Sequence, residues 1–393
     1  MEKKRLNRNL SFLFFAVYWV FACYTPFLLL YLQDRRLSYI QIGIVLALNS
    51  AINILFQPLW GYLTDKYISI KRAAYISAII SALAVISFTL AHEFYGVMFS
   101  IVLFVIFQSG LLPLMDSLCY KIAHNYSNIK YGKIRLMGSA GYAFSSFFLG
   151  MIIARTSIDI IFYLYSLFSL FILLFLSKLN FREENTEQEK SKIQPLKVLK
   201  NTGFMIFLLS VTIGSISYGA NNSYIGVLLQ ETGGSTQNLG LLWFIVAITE
   251  VPIFFVINRL IARIGSLNTY LLSLALFSIR FFLCTLWKNT SIIIMIQFLQ
   301  GLTFPLFMAG GLDYLCSLVP VEARSFSISL MSALIFGLGA LIGNLAGGII
   351  IDFFSIFSLY RVIAAVSLVS LAVALTLRKR KPLKDTEASQ KDH

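Results

Sequence analysis

Three side chains in the first half of the chain could bind a polar ligand although they lie in apolar surroundings: Asp116, Arg135 and Tyr142. Tyr142 follows Arg135 by seven residues, two turns along a helix, so the two share a face. A carboxylate and a guanidinium can hydrogen-bond hydroxyl groups, and an aromatic ring can stack on the apolar face of a polar ring. These residues therefore predict a substrate-binding group. A structural ion pair, with Tyr142 as a packing residue, is the alternative interpretation.

Two further charges lie in apolar stretches of the second half, Glu250 and Arg280. Burial disfavours the charged form of a carboxyl group, and a nearby arginine favours it. Movement of Arg280 relative to Glu250 could therefore change the affinity of Glu250 for a proton. We predict a proton-coupling role for this pair, with Asp313 as an alternative carrier. A static Glu250–Arg280 or Asp313–Arg324 pair that only holds helices together is the competing interpretation.

Polar amides recur at helical spacing and could line a cavity. Asn49, Asn53 and Gln57 are spaced by four residues, and Asn222 and Gln300 lie in other apolar segments. We predict that Asn53, Asn222 and Gln300 contribute to substrate binding, although interhelical hydrogen bonding would explain the same pattern. The four cysteines show no metal-ligand spacing, so neither a metal nor a cofactor is expected.

Long apolar segments must position these residues. Each is about long enough to cross a bilayer as a helix, and the runs do not alternate as barrel strands would. They are Leu10–Leu32, Tyr39–Leu63, Ala73–Ala91, Tyr95–Tyr120, Leu136–Ala154, Ile158–Ser177, Phe204–Leu229, Leu239–Ile257, Leu267–Leu286, Ile292–Cys316, Phe326–Ile349 and Phe357–Leu377, called spans 1 to 12 below.

The composition excludes a soluble catalytic domain. The chain is 58% hydrophobic and 13% charged, whereas soluble domains are about a quarter charged. Of the 32 lysines and arginines, 26 lie at the N-terminus, in the even-numbered connections or in the C-terminal tail, and four lie in odd-numbered connections. By the positive-inside rule, both termini face the cytoplasm of a cell-membrane protein. The net charge of +14 is then an orientation signal and not a nucleic-acid footprint.

The polar stretch Asn180–Lys200 divides the twelve segments six and six. LMDSLC at 114–119 resembles GLDYLC at 311–316, which supports a duplication. Paired six-span halves around a midplane site are a transporter architecture. We predict an N-terminal six-helix half at 1–178, a cytoplasmic linker at 179–200, a C-terminal six-helix half at 201–377 and a cytoplasmic tail at 378–393.

The connection after span 2 carries a recognisable motif, FQPLWGYLTDKYISIKR at 56–72. It resembles the loop signature of the major facilitator superfamily, with Gly61, Asp65, Lys71 and Arg72 at matching positions. The resemblance implies an all-α integral membrane protein with twelve transmembrane helices in two six-helix halves. It also implies that these four residues form a cytoplasmic latch, with Gly61 allowing close helix approach and Asp65 just past the helix end. A simple positive-inside turn is the alternative.

This motif is followed along the chain by an acid in span 4 and by the run G-x-x-R-x-x-G-x-x-G-Y in span 5. This order resembles the lactose-permease branch of oligosaccharide–proton symporters. TEVPIFF at 249–255 is similar to its phenylpropionate-permease relatives. The resemblance implies that Asp116 and Arg135 bind sugar hydroxyls and that Tyr142 stacks on the ring. The histidine and glutamate of span 10 in that branch fall here on Gln300 and Thr303, so Glu250 is the predicted proton carrier.

We therefore expect a secondary active transporter, and not an enzyme, that couples protons to a small polar solute, a sugar or small organic acid, by alternating access. Its expected partners are the substrate, protons and membrane lipid, without nucleic acid, and it is expected to act as a monomer. Proton-driven export of sugars or drugs is the alternative within transport. A non-transporting membrane sensor is the alternative from another class. The residues leave substrate and direction open.

Overall fold

A computed structural model describes residues 2–125, 131–179, 195–320 and 323–379. Most of the predicted linker at 179–200 and nearly all of the predicted tail at 378–393 lie outside these residues. Over the described part of the chain, twelve helical spans are long and apolar enough to cross a membrane.

The structure gives each predicted span a helix. Their bounds are Glu2–Tyr24 with Leu28–Asp34 for span 1, Tyr39–Lys66 for span 2, Ile70–Ala84 with Ser87–Leu90 for span 3, Phe94–Asn125 for span 4, Tyr131–Ile153 for span 5, Ile160–Ser177 for span 6, Thr202–Glu231 for span 7, Thr236–Ile264 for span 8, Ser266–Leu283 for span 9, Thr290–Leu318 for span 10, Arg324–Phe353 for span 11 and Ile356–Leu375 for span 12.

Local sequence explains several helix ends. The Ser38, Ser69 and Asn289 side chains each accept a hydrogen bond from a backbone N–H of the first turn that follows, which caps spans 2, 3 and 10. The short connection between spans 8 and 9 turns at Gly265, whose φ of +84° favours glycine. Span 10 changes to π-helical geometry at Leu306–Gly310, immediately after Pro305. Proline lacks the N–H that an α-helix would require there.

Contacts divide the chain into two compact units. Unit 1 comprises Met1–Asn185 with Gly226–Ile248, and unit 2 comprises Thr186–Ile225 with Thr249–His393. The end of span 7 and the start of span 8 thus group with the first six spans. The division at 178 and 201 into two six-helix halves remains a prediction from the sequence.

Glycines bring three helices of unit 1 into close contact around span 5. A Cβ on Gly138 would lie 2.5 Å from the Tyr18 ring, and one on Gly141 would meet the Phe15 backbone, so spans 1 and 5 pack tightly. A Cβ on Gly150 would lie 3.0 Å from the Gly240 Cα, where span 8 crosses span 5. Small residues allow this approach. The crossing fixes how the span 5 residues face span 8.

In unit 2 a glycine also sets the distance between spans 8 and 10. A Cβ on Gly301 would overlap the Thr249 side chain, so spans 8 and 10 are in direct contact there. Gln300 and Glu250 are the chain neighbours of these two residues. The packing therefore places the polar residues of spans 8 and 10 in the same region of unit 2.

Candidate functional site

The predicted group of unit 1 is organised around Tyr18, a residue of span 1. The guanidinium carbon of Arg135 lies 4.1 Å from the centre of the Tyr18 ring, a cation–π contact. Tyr18 interacts electrostatically with both Arg135 and Asp116 and is only 8% exposed. The structure thus associates the acid and the arginine with one tyrosine.

Tyr142 lies farther along span 5 and contacts span 8. Its ring meets the Trp243 ring edge to face, with the ring centres 6.4 Å apart. Tyr142 is half-buried, whereas Trp243 is buried. One helical face of span 5 therefore carries first Arg135 and then Tyr142, and the second of these adjoins an indole.

The amides of span 2 form a continuous hydrogen-bonded row in unit 1. The Asn53 Nδ2 donates to the Asn49 backbone oxygen at 2.8 Å and to its side-chain oxygen at 3.3 Å. The Gln57 Nε2 donates to the Asn53 side-chain oxygen at 3.4 Å. Their shared face is confirmed. Internal bonding of this kind orients the Asn53 amide.

The most unusual group in unit 2 is Arg280 of span 9, which is fully buried. Its Nη1 donates to the side-chain oxygens of Gln297, at 3.0 Å, and Gln300. Both partners are neutral amides of span 10. The Nε and Nη2 atoms have no hydrogen-bond partner in the described structure. These two nitrogens form one edge of the planar guanidinium, the fork that binds a carboxylate with two hydrogen bonds.

Gln300 links Arg280 to the polar residues of span 7. Its side-chain oxygen accepts a hydrogen bond from the Asn221 Nδ2 at 3.2 Å, and its Nε2 donates to the Asn222 side-chain oxygen at 3.3 Å. The Tyr360 hydroxyl donates to the Asn221 side-chain oxygen at 3.0 Å. The structure thus joins Asn222, Gln300 and Arg280 in one network.

Glu250 is half-buried on span 8, and the Tyr218 side chain interacts electrostatically with both Glu250 and Arg280. The static-pair interpretation remains the alternative to a coupling role. Asp313 is exposed and lies in the last helical segment of span 10.

The predicted latch residues lie at the end of span 2 and the start of span 3. Span 2 continues to Lys66, so Asp65 belongs to its last turn and not to the position after the helix end. A Cβ on Gly61 would meet no described atom within 4 Å. The Lys71 Nζ donates to the Leu179 backbone oxygen at 2.7 Å. The Arg72 backbone N–H is capped by Ser69.

Sequence reasoning missed three residues of these groups: Tyr18, Trp243 and Tyr360. Each is an aromatic residue in an apolar helix, where packing is the usual role. A signal for Tyr18 existed in the span 5 glycines, because Gly138 leaves the space its ring occupies. Nothing in the local sequence separates Trp243 or Tyr360 from packing residues.

Described His, Cys, Asp and Glu residues form no group that could hold a metal ion. Twelve described helices long enough to cross a membrane, with polar groups inside each unit, are typical of polytopic membrane transporters. A sequence model described as "MFS_1 like family" matches residues 7–362. The chain therefore belongs to this family, and the predicted major facilitator fold is confirmed.

Known proteins support this assignment. The chain is 29% identical over 371 residues to the maltose permease of Geobacillus stearothermophilus, covering 93% of each chain. It is 22% identical over 314 residues to the probable 3-phenylpropionic acid transporter of Escherichia coli (strain K12), covering 79% of this chain and 82% of that one. A crystal structure of the nucleoside transporter NupG (D323A mutant) matches with a TM-score of 0.85 at 16% identity, covering 95% and 99%.

The similarity to both permease types bears out the resemblance to the lactose- and phenylpropionate-permease branch. The chain is a secondary transporter of the major facilitator type and not an enzyme. It is a multi-pass protein of the plasma membrane that acts on a small-molecule substrate.

Proposed function

We propose that this transporter couples protons to the symport of a small polar solute, a sugar or a small organic acid, by alternating access. The observation that carries the coupling is the buried Arg280. Its Nη1 is held by two neutral amides, and its Nε and Nη2 have no partner in the described structure. A buried charge without a counter-charge is unfavourable. Such an arginine therefore favours an anion that is present in one state of the cycle and absent in another.

Glu250 is the best candidate for that anion. It belongs to unit 2 and interacts electrostatically with Tyr218, as Arg280 does. Deprotonated Glu250 would be stabilised by the free edge of Arg280, and protonated Glu250 would not. Approach of the two side chains would then favour release of the proton. Asp313 is the alternative carrier.

A sugar is the first substrate to test. In unit 1, Asp116 and Arg135 interact with Tyr18, and Tyr142 presents an aromatic ring two turns farther along the same face of span 5. Carboxylate and guanidinium groups bind hydroxyls, and aromatic rings pack on the apolar face of a pyranose. The similarity to a protein named maltose permease supports this choice. The similarity to a probable 3-phenylpropionic acid transporter supports a small organic acid as the second candidate substrate.

Orientation and oligomeric state complete the proposal. Both termini face the cytoplasm, because basic residues predominate at the N-terminus, in the even-numbered connections and in the tail. One chain contains both polar groups, which supports transport by the monomer.

The test uses purified protein in unbuffered vesicles, with maltose, sucrose and 3-phenylpropionate as substrates. We expect protons to enter with the transported substrate in the wild type. Glu250→Gln should abolish uphill accumulation, because it cannot release a proton, while exchange of substrate down its own gradient continues. Asp313→Asn is the comparison variant, since it makes the corresponding change at the alternative carrier, an exposed acid of the same unit.

The outcomes separate the carriers. If Glu250→Gln still moves protons with substrate, Glu250 is not the carrier. If Asp313→Asn alone shows the defect, Asp313 is. Transport by the wild type without proton movement would refute proton coupling altogether.

A further inference from the structure

Trp243 of span 8 has a buried indole N–H that nothing in the described structure accepts. The side chain is 8% exposed, and its ring contacts Tyr142 edge to face. Both residues belong to unit 1. Buried indole N–H groups usually find an acceptor. Trp60 follows that rule, because its Nε1 donates to the Ile106 backbone oxygen at 2.9 Å.

A second tryptophan, Trp19, provides a comparison, because its surroundings fit a packing role. The Trp19 N–H also has no acceptor in the described part of the chain, but this ring lies among other aromatic rings. Phe15, Phe148 and Phe168 have ring centres 5.6, 6.4 and 5.2 Å from it. Trp243 differs because its ring partner is Tyr142, which shares a helical face with Arg135.

We propose that Trp243 is a further substrate-binding residue, whose indole N–H donates a hydrogen bond to a hydroxyl of a sugar that packs against Tyr142. This inference rests on the proposed sugar substrate but not on proton coupling. The indole can only donate, so it selects a ligand oxygen at this position. A pyranose provides both features, an apolar face for Tyr142 and hydroxyl oxygens at its edge. An aromatic acid would provide the face but only the oxygens of its carboxylate as acceptors, without hydroxyls around the ring edge.

The test measures equilibrium binding of maltose to purified protein in detergent at one fixed pH, where no gradient exists. Trp243→Phe keeps an aromatic ring and removes the N–H. We expect about five- to tenfold weaker binding, the usual effect of losing one neutral hydrogen bond. Trp19→Phe is the matched control and should bind maltose as the wild type does.

Monodeoxy analogues of maltose distinguish hydrogen bonding from general structural damage. In the wild type, the analogue that lacks the accepting hydroxyl should bind about five- to tenfold more weakly than maltose. In Trp243→Phe the two should bind equally, because the missing bond is lost already. Trp243→Met, which is also large, apolar and without a donor, should lose the same discrimination and replaces the Phe variant if that does not fold.

Three results would overturn the inference: wild-type affinity in the Trp243 variants, equal weakening in Trp19→Phe, or equal weakening for maltose and every deoxy analogue. Absence of wild-type binding to maltose, sucrose, glucose and galactosides would also overturn it, together with the sugar assignment. Failure of proton coupling alone leaves the binding result intact, so the two proposals fail separately.

Discussion

Gly240→Ala should destabilise unit 1 by forcing spans 5 and 8 apart. The new Cβ would lie 2.5 Å from the Ser146 backbone oxygen and 3.0 Å from the Gly150 Cα. Ordinary contacts begin near 3.4 Å, so the helices must separate by about 0.9 Å at this point. Backbone atoms cannot rotate away as a flexible side chain can. Overpacking of this kind costs about 1–3 kcal/mol.

The assay is reversible unfolding of the purified protein by SDS in mixed micelles, followed by circular dichroism. Gly132→Ala in span 5, the helix that Gly240 of span 8 contacts, is the matched control, because its Cβ would meet no described atom within 4 Å. It should leave stability unchanged or raise it slightly, since alanine favours helix more than glycine does. Equal stability of the Gly240 and Gly132 variants would refute the close crossing of spans 5 and 8.

Two further predictions concern the proposed binding and latch residues. Arg135→Ala should abolish equilibrium binding of maltose. Arg135→Lys should restore little binding, because lysine lacks the planar group that lies over Tyr18. Near-wild-type affinity of the alanine variant would make Arg135 purely structural. Asp65→Asn should slow transport in vesicles while leaving maltose affinity within a few-fold of the wild-type value, because Asp65 is exposed in the last turn of span 2. Loss of maltose binding by a folded Asp65→Asn protein would identify Asp65 as a ligand.

The spans were predictable because lipid imposes one simple requirement. Every backbone polar group must be paired within its own segment, so long apolar runs become helices. Their ends were less predictable. Span 2 continues three residues beyond the expected Leu63 to Lys66, because polar residues at the membrane surface can extend a helix that hydropathy alone would end.

The polar groups were predictable only in part. Repeated spacing along one helix indicated the Asn49–Asn53–Gln57 row, since a period of four defines a face. Partners on different helices depend on packing, which a single sequence does not encode locally. The contact of Trp243 with Tyr142 requires the crossing at Gly150 and Gly240, two residues whose meeting nothing in the sequence indicates.

The composition of the network around Arg280 supports the proposal that its role is functional. Replacing a buried ion by a well-packed apolar side chain is often neutral or stabilising, so stability alone does not account for an arginine in this position. Its neighbours Gln297 and Gln300 satisfy one nitrogen but cannot neutralise the charge. Neutral amides also cannot release protons. A network of this composition holds the guanidinium in place. In the proposed mechanism, an anion is then gained and lost at its remaining edge, as coupling through Glu250 requires.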